Sequence, residues 1–165
     1  MSRKKELWES MSLYKKAKEI LHLSERIIVI IEDRSNNDDP ESEILNNYAD
    51  YIMENACMIP AKIAGVYDVD TPYDLKMENA AIIRKAAREI ATDTRGLEMY
   101  GFKDIEYLEL LRQEIEAFRV LFAEWVKTFD PWNYIIDRWG LFNPPGIHYD
   151  DKDPDEDLPF NPDDF

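Results

Sequence analysis

At 165 residues the chain has the length of one domain and can bury roughly 70% of the surface its unfolded form exposes. It holds 35 acidic against 20 basic residues, a net charge of −15, and this weighs against anionic membranes and against any nucleic-acid surface broader than a local basic patch, because phosphate binding needs Lys and Arg. The single cysteine excludes an internal disulfide, and five glycines argue against a turn-rich all-β fold.

The chain opens Met1-Ser2-Arg3-Lys4-Lys5 and continues through Glu6, Glu9, Lys15, Lys16, Lys18 and Glu19 without the apolar run of a secretion leader. No stretch approaches the roughly 18 apolar residues of a membrane span. The expectation is a soluble cytoplasmic protein with no membrane partner.

Five helices are expected. The first runs from about Ser10 to Asp33, with Tyr14, Ala17, Leu21, Ser24, Ile28 and Ile31 stepping by three and four along one face. The run Ile27–Ile31 has strand propensity, but no second such run exists to pair with it. Ser35 to Pro40 is a loop by composition. The second helix spans about Glu41 to Val66. Its stripe of Leu45, Tyr48, Ile52, Ala56, Ile59 and Ile63 continues across Pro60, so the proline predicts a tolerated kink rather than an end. Small residues Ala56, Ala61, Ala64 and Gly65 surround the kink and would let another helix come close. Cys57 lies in the same apolar stretch and reads as a buried small hydrophobe rather than a nucleophile.

The third helix covers about 72 to 99, with Thr71 as N-cap, Pro72 at the first position and Gly101 as the stop. Leu75, Asn79, Ile82, Ala86, Ile90 and Leu97 mark its face. The fourth covers about 104 to 129. Leu108, Leu111, Ile115, Phe118, Phe122, Trp125 and Phe129 alternate steps of three and four over more than three heptads. Asp130-Pro131 stops it and starts a short fifth helix, about 131 to 138. From Asn143 onward the pattern collapses. The tail, 143–165, is acidic and proline-rich and reads as loosely tied; Phe160 and Phe165 are its large aromatics able to dock. From Asp150 on it carries eight acidic residues against Lys152.

Four long amphipathic segments joined by short loops predict an all-α fold, an antiparallel up-down-up-down four-helix bundle over residues 1–142. Ile59-Pro60-Ala61-Lys62-Ile63-Ala64, with Gly65 following and Tyr14-Lys15-Lys16-Ala17 early in helix one, resembles the Ile-Pro-x-x-Ile-Ala stretch of a bacterial four-helix-bundle family. That family includes proteins encoded in intervening sequences of 23S ribosomal RNA genes, and the accessory protein of diversity-generating retroelements is a relative. The resemblance covers about Ser10 to Phe129. It implies a ring-shaped homo-oligomer and brings no catalytic residues with it. Met58 stands where the family usually has serine, and Lys62 where asparagine is common. The retroelement protein is basic and engages nucleic acid. The opposite charge here keeps that role from carrying over.

The sequence carries few groups with evident chemistry. Two histidines, His22 and His148, are too few for a di-metal bundle or for nucleophile triads, and no glycine-rich phosphate loop exists. Carboxylates at helical spacing, Asp50/Glu54, Asp74/Glu78 and Glu106/Glu109, have a geometry that could hold Mg²⁺, but acidic residues are so common here that a solvated face explains them. Asn55 and Asn79 interrupt apolar faces and read as core polar residues that fix register, with ligand contact as the alternative. The densest aromatic group is Trp125, Phe129, Trp132, Tyr134, Trp139 and Phe142. It either caps one end of the bundle or, through Trp132, Tyr134, Trp139 and Phe142, forms an interface. The leading expectation is a non-enzymatic assembly and binding protein without cofactor or metal, self-associating and with a protein partner beyond itself. The runner-up is a Mg²⁺-dependent nucleotide hydrolase using helix carboxylates. A third reading is an acidic nucleic-acid mimic or regulator.

Overall fold

The computed structural model of the protein describes residues 8–36 and 38–154. Four long helices and no strand occur among them: α1 (Ser12–Asp33), α2 (Pro40–Gly65), α3 (Tyr73–Met99) and α4 (Ile105–Lys127). Each end lies within two residues of its expected place. α2 starts where Asp39 accepts a hydrogen bond from the Glu41 N–H at 3.1 Å and Pro40 takes a position whose N–H needs no partner. α3 begins one residue later than expected, at Tyr73, with Pro72 rather than Thr71 at the cap. Its other end closes in a Schellman motif. The Phe102 N–H donates to the Leu97 carbonyl at 2.9 Å and the Gly101 N–H to that of Glu98 at 3.3 Å. Gly101 supplies the required positive φ of 96°, and Phe102 and Leu97 are both buried.

α1 packs against α2 and α4, and α3 packs against the same two helices, least closely against α4. Lys16 of α1 reaches Glu114 of α4 at 2.7 Å, while Arg34 just beyond α1 reaches Asp104 just before α4 at 2.6 Å. The core is aliphatic: Ile20, Ile27, Ile52, Ile59, Ile63, Ile83, Ile90, Leu97, Leu108 and Leu111 are fully enclosed, with Phe118 among them. Its polar members are satisfied internally. Ser24 donates to the Ile20 carbonyl at 2.7 Å, and Thr94 donates to that of Ala91 while accepting from Arg112 at 3.0 Å.

The buried faces are rotated a little from the expected stripes. In α1 the core takes Leu13, Ile20 and Ile27, whereas Tyr14 and Ile28 lie half-buried beside it. In α3 Ala80, Ile83 and Ala87 turn inward, and Leu75 is exposed. Cys57 is exposed, correcting the expectation of burial. Residues Ala56 to Ile59 are contiguous in sequence, but at 100° per residue Ala56, Ile59, Pro60 and Ile63 face the core while Cys57 points away. Of the small residues around Pro60 only Ala56 is buried. Gly96 has a different packing role: a Cβ there would collide with the Tyr48 ring, so the missing side chain makes the slot that Tyr48 fills.

The fifth helix is absent. Residues 131–138 run through turns and irregular backbone. Asp130 accepts from the Trp132 N–H at 2.9 Å and bends the chain. The Asn133 carbonyl then accepts from the Tyr73 N–H at 2.8 Å, which ties the segment to the first turn of α3. That carbonyl is thereby withdrawn from a helical ladder, and the Asp137 N–H that would have bonded it turns to Asn143 instead.

Candidate functional site

The segment after α4 builds a loop that displays large apolar side chains. Asp137 organises it. Its carboxylate accepts from the backbone N–H groups of Trp139 at 3.0 Å, Leu141 at 2.9 Å and Phe142 at 2.8 Å. Asn143 closes the turn from the other side, accepting from the Asp137 N–H at 2.7 Å and donating to its carbonyl at 3.0 Å. Gly140 takes φ of 72° within it. Arg138 donates to the carbonyls of Tyr149 at 3.0 Å and Asp151 at 2.6 Å, so residues 149–151 are tied back rather than loose. The part of the tail from 155 to 165 lies outside the described residues.

This loop leaves Trp132 87% exposed, Trp139 95% and Leu141 73%, while Tyr134 and Phe142 are half-buried. Trp125 and Phe129 instead pack edge to face at 4.7 Å, and the Lys76 ammonium sits 5.6 Å from the Phe129 ring centre. Burial lowers the Lys76 pKa, against the opposing pull of Asp68 and Asp130. The aromatic group therefore divides: Trp125 and Phe129 close the bundle end, and Trp132 and Trp139 face solvent. Nothing in the apolar periodicity foretold Asp137, though Asp137-Arg138-Trp139-Gly140 holds two residue types that favour turns, Asp and Gly.

The three backbone N–H bonds, that of Phe142 foremost, hold the Asp137 carboxyl below its ordinary pKa. A depressed carboxylate pKa stabilises the loop above the unfolded value of about 3.9 and ceases to do so as pH falls through the lower folded value. Tryptophan emission should therefore report loosening of this loop only below about pH 4, and Asp137→Ala should produce the loosened signal already at pH 7.

The two asparagines serve separate bonds. Asn55 donates to the Glu89 carboxylate at 3.0 Å, linking α2 to α3. Asn79 donates to the Lys62 carbonyl at 3.1 Å. The Val66 N–H, four residues on, turns to Ile63 instead, so Asn79 supplies a donor to a carbonyl at the end of α2. α2 continues through Pro60, which is buried.

A groove of about 640 Å³ runs between α2 and α3, lined in part by Glu54, Asn55, Glu89 and Asp93. Burial raises the Asp93 pKa, and the Glu89 charge adds to it. Of the spaced carboxylates only Glu54 lines this groove; Asp50, Glu78, Glu106 and Glu109 are exposed elsewhere. Among the described residues no three acidic, His or Cys side chains converge as metal ligands would, and no helix is long and apolar enough to cross a membrane. No family model, curated protein or solved structure matches the chain.

Proposed function

We propose that this chain is a non-enzymatic helical-bundle protein whose work is binding, and that it first binds a second copy of itself through the loop bearing Trp132 and Trp139. One observation carries the reading: two tryptophans, 87% and 95% exposed, stand on a loop that a carboxylate and an arginine hold in one conformation. Exposed tryptophan is costly to hydrate and is a favoured interface anchor. Fixing the loop beforehand lowers the ordering cost of association.

An up-down-up-down bundle is part of the same reading. The pairs Lys16–Glu114 and Arg34–Asp104 support α1 and α4 running in opposite directions, and Asn79–Lys62 with Asn55–Glu89 supports the same for α2 and α3. The resemblance carried by Ile59-Pro60 to Ala64 also favours homo-oligomerisation.

Replacing both tryptophans by alanine should reduce the assembled mass measured by light scattering while leaving stability within about 0.5 kcal/mol, since neither side chain enters the core. Loss of about 2 kcal/mol per anchor corresponds to roughly 30-fold weaker association for each. An unchanged oligomer in the double variant would sink the proposal.

A further inference from the structure

α3 and α4 interlock less than any other neighbouring pair, and an apolar trough of about 520 Å³ lies between them. Its floor includes Ala87 and Ala91 from α3 with Ile115, Phe122 and Val126 from α4. Its rim is basic: Arg84, Arg88 and Arg119. Arg119 is engaged by Glu116. Arg84 and Arg88 are exposed and have no acidic partner among the described residues, although the chain holds 35 carboxylates. An apolar floor under unpartnered arginines selects an acidic segment with apolar anchors.

Residues 155–165 of this chain, Asp-Glu-Asp-Leu-Pro-Phe-Asn-Pro-Asp-Asp-Phe, have that chemistry. They carry five carboxylates and no base, with Leu158, Phe160 and Phe165 as anchors. The segment is long enough to span the trough. Eleven residues extend to about 36 Å, whereas Ile115 to Val126 along α4 spans about 16 Å. The described chain also approaches from the correct end. Asp151 is bonded to Arg138, five residues past Asn133, which touches Tyr73 at the start of α3, and Val126 is one residue from the end of α4. We infer that the acidic segment 155–165 docks in the α3/α4 trough of its own chain, with Leu158 and Phe160 on the apolar floor and its carboxylates on Arg84 and Arg88. This docking uses a different surface from the tryptophan loop and does not depend on it.

Methyl NMR of the full chain tests it. Leu158→Ser/Phe160→Ser should shift the methyl signals of Ala87, Ala91, Ile115 and Val126, and leave those of Ile20 and Ile52 across the core in place. Arg84→Glu/Arg88→Glu should move the same trough signals toward the positions seen in the tail variant, as should high salt, because the ion pairs are exposed. All these shifts should be independent of protein concentration. Trough signals unmoved by the tail variant would overturn the inference. Trough signals that instead follow protein concentration, with or without the tail substitutions, would assign the trough to a second copy and overturn it equally. Loss of assembly on replacing Trp132 and Trp139, with the trough shifts retained, would separate the two surfaces.

Discussion

Phe118→Ala is expected to cost about 3–5 kcal/mol, and Val120→Ala, two residues away on the same helix, no more than about 0.5 kcal/mol. Phe118 is 2% exposed and packs with the core, while Val120 is 51% exposed. Truncating Phe118 removes an enclosed ring from the core, and the cost is its lost burial plus the cavity that remains. A domain of this size has about 5–15 kcal/mol in hand, so one substitution would remove a large part of it. In urea the midpoint should fall with the slope unchanged, and the melting temperature should drop by about 6–20 °C. Equal effects at 118 and 120 would mean that α4 presents a different face to the core.

Helix extents were legible because each rests on local chemistry. Periodicity marked the bodies of α1 to α4 and Gly101 the end of α3, whereas Asp39-Pro40, read as the end of a loop, caps and starts α2. What was not legible depends on partners far along the chain. The helix expected at 131–138 is lost because Asn133 bonds across to Tyr73, sixty residues away, and the loop that replaces it rests on one carboxylate choosing three backbone donors. Cys57 was misjudged because a contiguous apolar run does not say which of its members turns inward. Gly96 reads as a weak helix residue until Tyr48 is seen in its place beside it. Trp132, Tyr134, Trp139 and Phe142 stood out by aromatic density; the structure leaves Trp132 and Trp139 exposed, half-buries Tyr134 and Phe142, and holds Trp125 and Phe129 against the bundle.

Neighbouring residues in α2 should respond to alanine with opposite signs. Ile59 is fully buried in the core, and Ile59→Ala should cost about 2–5 kcal/mol through lost burial and the cavity left behind. Pro60 is buried too, but its backbone works against the helix that contains it. Inside a helix proline lacks the N–H that would bond the Ala56 carbonyl, and its ring crowds the preceding turn, at about 3 kcal/mol relative to alanine. Pro60→Ala restores that bond and gives up two ring carbons of burial, worth about 0.8 kcal/mol each, together with some of the stiffness proline lends the unfolded chain, about 0.4–1 kcal/mol. The difference favours alanine by about 0.5–1 kcal/mol, so the melting temperature should rise by about 1–4 °C. A fall would mean that Pro60 itself positions the second half of α2, where Ile63 enters the core and the Lys62 carbonyl meets Asn79. In that event the Asn79 bond should weaken together with stability, and hydrogen exchange at Ile63 to Val66 would show it.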